Sequence, residues 1–528
     1  MDRWSGCTIR MNKRITRAQQ ALLLFFVVLG AGLRLFFLFG PMCHDEAETF
    51  VVFASKSLWV GLSKYTLPNN QIFHTLLVHE SVSLFGNAPW AIRLPALLAG
   101  ILVIPATFFA MEGFFGQKPA LLATGLVAVS WPLVSYSGNA RGYTIQTLLF
   151  LLLLIVAKRI KRKNDMASWV CFVFLGTLGL FTAPTMIYFF GAVAIWLFVS
   201  ALRGDTQVLP TKLALKLVLS CVAVVVLVLL LYTPALLRTG LTRDVLRPTT
   251  YSLRMVPFVL QVPIRMVGTV AFFTFSVMFS FSRSAPVMVI IIIATAALTV
   301  FLAYGCVLAT VRNKWLSKHK TNLLLIALFW STLIVLAQGY FPPERVFIPI
   351  IPLYFGYASA GLCFAWSRLR ARYRLPAGRT VAYGMLVGLV VVCTAVLMIA
   401  QVPWQPRDMT TMRDAGAMAS KLKQILRPKD VVYAEPITRM SLEYYFLKDG
   451  IPLSYIYFVQ DNNRGKREVP GRAFIVMDYL DGAPPEKTIR WAGLPPLSQT
   501  RMDLAVCCDN SAAFLLTWPK RTVSGKEI

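Results

Sequence analysis

Eleven stretches of this chain stay apolar for about the length that crosses a hydrocarbon core. They lie near residues 18–40, 91–112, 119–136, 143–158, 167–182, 184–202, 214–234, 285–311, 321–339, 345–366 and 380–400. A bilayer core takes roughly 20 apolar residues per helix. In lipid every backbone polar group must be satisfied inside its own element, which leaves helices as the spanning structure for runs of this kind. The pattern therefore restricts the chain to a polytopic α-helical membrane protein of about eleven spans. Composition agrees: 57% of the 528 residues are hydrophobic and only 15% are charged, and a soluble domain this apolar would aggregate.

The acids divide the chain. Of its 24 Asp and Glu, 14 lie after residue 400. This gives a membrane domain over 1–400 and a water-soluble domain over 401–528. The soluble part reads as a small α/β unit, with a helix over 418–426, a strand at 431–434, a helix near 442–447, and strands at 473–477 and 514–517. A basic stretch followed by apolar residues 21–39 is like a signal peptide, but Arg34 and the lack of a small-residue cleavage site favour a retained first helix.

The net charge of +29 would suggest nucleic acid in a soluble protein. Here the basic residues cluster between apolar runs, at Arg10–Arg17, Lys118, Lys158–Lys163, 203–216, 312–320 and 368–379. That is the signature of cytoplasmic loops setting orientation. They fall on one side only if two ambiguous segments, 71–85 and 263–282, do not cross the membrane. Residues 71–85 carry His74, His79 and Glu80 and are too short and polar to span, so they, like 263–282, read as a helix lying on the outer surface or tucked among other helices. The outer face then receives residues 41–90, 137–142, 235–284, 340–344 and everything after 400. The expected location is the plasma (inner) membrane, multi-pass, with the tail outside the cytoplasm. No internal repeat marks the two related halves of many transporters. Five of the nine cysteines lie in apolar runs; Cys43, Cys507 and Cys508 would be exported, and the sequence does not pair them.

Chemistry can be sought at the outer mouths. After the first span comes Cys43-His44-Asp45-Glu46-Ala47-Glu48, three carboxylates in a region otherwise almost free of acids. Such a group can act as a general base or hold a divalent cation. It also fits acids opening a helix over 45–60, and the two readings weigh about equally. The second outer loop, Tyr136-Ser137-Gly138-Asn139-Ala140-Arg141-Gly142-Tyr143, places Arg141 at the start of a span, where a lipid phosphate would suit its guanidinium. For a lone arginine, snorkelling into a tyrosine belt is the commoner role. The third loop, Pro342-Pro343-Glu344-Arg345, repeats the arrangement. Asn69 or Asn70 could cap the surface helix. His74 and His79 lack the usual spacing of metal ligands.

Four pieces in this order resemble the GT-C superfamily of glycosyltransferases that use polyprenyl-phosphate sugars. The superfamily includes protein O-mannosyltransferases, aminoarabinose transferases of lipid A and lipopolysaccharide glycosyltransferases. The pieces are His44-Asp45-Glu46-Ala47, then Pro68-Asn69-Asn70-Gln71-Ile72-Phe73, then Ala91-Ile92-Arg93-Leu94-Pro95-Ala96, and last Tyr136-Ser137 with Ala140-Arg141-Gly142-Tyr143. The segment Pro343-Glu344-Arg345-Val346-Phe347-Ile348-Pro349 and the terminal α/β domain are similar too. Each motif is short, so their order and topological side carry the resemblance.

The resemblance implies a GT-C-like bundle with surface helices in its first outer loop. It implies transfer of a sugar from a polyprenyl-phosphate donor to a hydroxyl on a lipid, glycan or protein outside the cytoplasm. It makes Asp45 the catalytic base, Glu46 its support, and Arg141 and Arg345 the contacts to donor phosphate. His44, Asn70, His74, Asn139 and Tyr143 complete the candidate site. Asn139 stands where related sequences often carry an acid, and an amide cannot serve as a base. A divalent cation, held by Asp45 if by any residue, is compatible with the motifs but not required by them. The competing reading is a flippase or transporter of lipid-linked sugar. No nucleic-acid partner is implied.

Overall fold

The computed structural model describes residues 15–65, 70–239, 285–373, 411–457, 472–479, 485–492 and 494–518, with a few positions between 261 and 269. Among these, six helices are long and apolar enough to cross a membrane. They are Arg17–Phe37, Pro89–Phe115, Tyr143–Lys163, Pro184–Leu202, Pro210–Arg238 and Glu344–Arg372. Met166–Thr182 and Leu323–Gln338 are shorter apolar helices, and Ala285–Val311 covers the run at 285–311. The run at 380–400 and most of 263–282 lie outside the described residues.

Two expected helices are interrupted. The run at 119–136 forms Gln117–Ala128 and then a separate turn, Trp131–Ser135. Pro132 has no N–H with which to continue the first helix, and it fits instead in the opening turn of the next one, which Ser130 caps. The helix expected over 45–60 runs from His44 to Glu48, widens into a π turn at Thr49–Ala54, and stops before a new helix at Leu58–Ser63. The stop falls on the polar residues Ser55, Lys56 and Ser57.

The chain forms two compact units. One comprises Met1–Leu38, Trp59–Leu77 and Arg93–Gln405; the other comprises Phe39–Leu58, Val78–Ile92 and Pro406–Ile528. The first is the helical body. Burial separates its central helices from its outer ones: 89% of the apolar window of Glu344–Arg372 is buried, against 22% for Arg17–Phe37 and for Pro210–Arg238. Lipid tails are as apolar as leucine, so contact between helices depends on close packing at small residues. Gly305 and Gly361 meet backbone to backbone, and a Cβ on Gly361 would lie 1.7 Å from the Gly305 carbonyl oxygen.

The second unit holds a five-stranded sheet in the order β2-β1-β3-β5-β4. The strands are β1 Val431–Ala434, β2 Ile456–Tyr457, β3 Arg472–Asp478, β4 Arg501–Cys507 and β5 Ser511–Thr517. β1 pairs in parallel with β2 and β3, and β5 pairs antiparallel with β3 and β4. Helices Ala415–Ile425 and Pro436–Lys448 supply Met418, Leu422, Leu442 and Phe446 to a core with Val432, Phe474 and Val476. The first outer loop belongs to the same unit. Ser441 donates to the Met42 carbonyl at 3.1 Å, Tyr444 donates to the Asn87 carbonyl at 2.9 Å, and Phe50 meets the Tyr444 ring edge-on at 5.6 Å. Helix Pro436–Lys448 thus fixes the acidic segment from the far end of the sequence.

Candidate functional site

The acidic segment is built as a helix start. Cys43 is the N-cap, and its backbone N–H donates to Glu46 Oε1 at 2.8 Å, closing a capping box that buries Glu46. With Glu46 so engaged, the half-buried side chains of His44 and Glu48 stand one turn apart, Nε2 to Oε2 at 4.0 Å, with half-buried Asp45 between them in sequence. One ligand atom from each of His44, Asp45 and Glu48 lies within 4.8 Å of the others. One imidazole and two carboxylates could hold a divalent cation, and Asp45 could instead take a proton from a hydroxyl. The following π turn, with Ser55 N–H donating to the Phe50 carbonyl at 2.8 Å, is a rare element that frequently accompanies functional sites. His79 donates through Nδ1 to the Ala54 carbonyl at 2.8 Å, which engages it at the end of that turn.

The basic loop belongs to the helical body. Asn70 donates to the carbonyls of Gly61 and Lys64, both at 2.9 Å, and accepts from Thr75 Oγ1 at 2.8 Å. These bonds pin the turn before helix Ile72–Phe85. The next residue, Gln71, accepts through Oε1 from the Gly142 N–H. Gly142 has no room for a side chain: a Cβ there would lie 2.7 Å from Thr182 Cγ2 and 3.2 Å from His74 Cβ. Helix Ile72–Phe85 and the Arg141-Gly142 turn are thereby locked together.

Arg141 is 3% exposed and His74 is fully buried. Neither ring nitrogen of His74 has a hydrogen-bond partner among the described residues. Burial, reinforced by the nearby Arg141 guanidinium, pushes the His74 imidazole down to about 3, so it is neutral at physiological pH. Tyr143, also buried, sits beneath the guanidinium with its ring centroid 5.9 Å from Arg141 Cζ, and Tyr136 meets that ring edge-on at 4.9 Å. Tyr143 begins helix Tyr143–Lys163, so the guanidinium stands at the positive end of a helix dipole. A buried cation, a helix N-terminus and a neutral imidazole make a field that favours an anion.

Half-buried Asn139 is two residues upstream, where its carbonyl accepts from the Arg141 N–H at 2.7 Å. Arg345 is exposed on the 3-10 turn Glu344–Ile350, which packs on helix Tyr143–Lys163. In that turn Phe347 packs edge-on against Tyr188 at 5.4 Å. The structure thus gathers Asn70, His74, Asn139, Arg141 and Tyr143 around one turn of the helical body, with Arg345 on a neighbouring element. It places His44, Asp45 and Glu46 together in the other unit. Gln71 and Arg34 are residues to which the sequence assigned no role in the site, and Glu48 was read only as one of three carboxylates. Glu48 was legible from its spacing of four from His44. Arg34 could have been suspected from its place within an apolar run four residues after Gly30.

Residues 71–235 match the model of the dolichyl-phosphate-mannose-protein mannosyltransferase family, a stretch that includes His74, Asn139, Arg141 and Tyr143. No curated protein matches the chain. Among solved structures, the chain is similar to the oligosaccharyltransferase AglB from Archaeoglobus fulgidus in complex with an inhibitory peptide and a dolichol-phosphate. The identity is 12%, over 81% of this chain and 64% of that one, with a TM-score of 0.51. The same archaeal enzyme tethered to an acceptor peptide matches at 13% identity over 87% and 69% of the two chains, TM-score 0.51. ArnT from Cupriavidus metallidurans bound to undecaprenyl phosphate matches at 15% identity over 94% and 98%, TM-score 0.45. The chain therefore spans about two thirds of the archaeal relative, with which it shares a fold. Family model and fold agree with the GT-C resemblance carried by the sequence motifs.

Proposed function

We propose, from that resemblance to GT-C glycosyltransferases, that this chain is a multi-pass membrane glycosyltransferase. It moves a sugar from a polyprenyl-phosphate donor to a hydroxyl of a lipid, glycan or protein on the extracytoplasmic side of the plasma (inner) membrane. The observation that carries the reading is Arg141, buried at the N-terminus of a spanning helix beside a neutral His74. That arrangement suits the phosphate of a lipid whose tail stays in the bilayer. The solved relatives support this donor class, since one is bound to undecaprenyl phosphate and another to a dolichol-phosphate.

In the proposed reaction the acceptor oxygen attacks the anomeric carbon as the bond from that carbon to the phosphate oxygen breaks. Asp45 takes the hydroxyl proton, and its helical segment is held by Glu46. Negative charge grows on the departing polyprenyl phosphate, where Arg141 and Arg345 stabilise it. His74, being neutral, gives one ring N–H to a phosphate oxygen. Tyr143 bears the guanidinium from below, while Asn70 and Asn139 shape the turns around it. A single displacement, without a covalent sugar intermediate, inverts the anomeric centre. A divalent cation on His44, Asp45 and Glu48, if bound, would supply positive charge to the acidic segment.

The test supplies radiolabelled polyprenyl-phosphate sugar to membranes with the wild-type chain, with Asp45→Asn, and without the chain. Labelled product only with the wild type is the expected result. Movement of donor across the bilayer with no new glycoside would replace the enzyme by a flippase.

A further inference from the structure

Among the described residues, Arg34 is a fully buried cation that the proposed chemistry leaves unused. Arg34 lies in the first span, Arg17–Phe37, and is 0% exposed. An unmatched guanidinium there would be very costly, and its bonds show what it serves. In an unbroken helix the N–H of residue 132 would bond to the Ala128 carbonyl, but Pro132 has none. Arg34 Nη1 donates to that carbonyl at 2.9 Å and to the Gly30 carbonyl at 2.9 Å, and Nη2 reaches the Val127 carbonyl at 3.5 Å. Nε donates to Ser137 Oγ at 3.1 Å, and Ser137 in turn donates to the Leu133 carbonyl. One side chain thus joins both sides of the break: the helix before it and the turn after it.

The surroundings are cleared for this contact. A Cβ on Gly100 would come within 2.0 Å of Ser137 Oγ, and one on Gly30 would lie 3.1 Å from Arg34 Nη1. A Cβ on Gly138 would stand 3.1 Å from the Phe37 carbonyl oxygen. The first span and the start of the second outer loop are therefore in close contact. Four residues beyond Ser137 comes Arg141.

We infer that Arg34 is a positioning residue: it splints the break at Pro132 and, through Ser137, sets the loop that presents Arg141. This rests on the reading of Arg141 as the phosphate contact, and the experiment separates the two. Binding of undecaprenyl phosphate to the full-length chain in detergent is measured for wild type, Arg34→Gln and Ser137→Ala, together with thermal stability. Arg34→Gln weakens binding at least tenfold. Ser137→Ala, which leaves the carbonyl bonds intact, weakens it several-fold without lowering the melting temperature. Wild-type affinity in Ser137→Ala overturns the proposal, even where Arg34→Gln does not fold.

Should the wild type not bind undecaprenyl phosphate, the functional reading fails and a second readout decides. Asn139→Cys, in a chain whose other cysteines are replaced, is labelled with a membrane-impermeant maleimide. Faster labelling when Ser137→Ala is added supports the splint, and an unchanged rate overturns it.

Discussion

The acidic segment and the basic turn solve opposite problems. His44, Asp45 and Glu48 are half-buried on a short helix that opens into a π turn and rests on helix Pro436–Lys448 of the sheet domain. Arg141 and His74 are buried in the helical body, and their backbone is fixed by Gln71, Asn70 and Arg34. A proton acceptor works best when hydrated enough to remain a carboxylate and to exchange its proton. An electrostatic clamp works best where the dielectric is low and nothing must reorganise. The two regions carry the environments that their proposed roles need, and substitutions should therefore fail in different ways.

The largest effect is expected at the acid. Asp45→Asn removes the proposed general base, a contribution of about 10²–10⁴ in rate, and should lower transfer by that factor with undecaprenyl phosphate bound as tightly as before. Single-turnover assays beside equilibrium binding measure the split. Equal loss of binding and rate would move Asp45 into the donor contacts and erase the contrast.

Arg141→Ala should do the reverse. It removes positive charge from the leaving phosphate, worth about 10²–10³ in rate for a comparable oxyanion donor, and it weakens undecaprenyl phosphate binding as well. Arg141→Lys should recover only part of both, because an ammonium cannot reproduce the planar fork. Full recovery by lysine would reduce the site to a point charge.

His74 sharpens the contrast through pH. Its folded-state value of about 3 lies below the usual imidazole range because burial, and then Arg141, oppose the cation. The unfolded chain takes up a proton below about pH 6.5 that the folded one refuses. Stability is thus fully present above that pH and drains away as pH falls toward 3. Thermal unfolding between pH 4 and 7 should show this decline, and His74→Gln should flatten it. The same variant should lose about tenfold in donor binding, the worth of one hydrogen bond to a charged group.

Legibility in the sequence followed the range of the interactions. The spans were readable because lipid demands long apolar runs, and every run with described coordinates is helical. Parallel strand β1 was readable as a short apolar run. Edge strand β4 was passed over although Arg501 and Asp503 alternate with apolar residues as in a half-exposed strand, and two-residue β2 leaves almost no pattern. Asp45 and Arg141 stood out as candidates because charge is conspicuous beside a membrane. Gln71 was missed because a lone glutamine has no signal until its partner Gly142 is known. The attachment of residues 39–58 to the sheet domain was equally hidden, as Met42 and Ser441 meet across nearly 400 residues of sequence.

The smallest effect is expected at Arg345, which tests whether burial decides the size of the response. It shares residue type and proposed ligand with Arg141 but is exposed on the turn Glu344–Ile350. An exposed charge interaction is typically worth about 0.2–1 kcal/mol, so Arg345→Ala should weaken undecaprenyl phosphate binding no more than about fivefold. That loss should shrink further in high salt, where a screened contact fades, while the loss from Arg141→Ala should persist. Titrations at low and high ionic strength measure both. Equal, salt-insensitive losses at the two arginines would mean that Arg345 becomes buried when the lipid binds, and the environment of the bound state would then set the energetics at both positions.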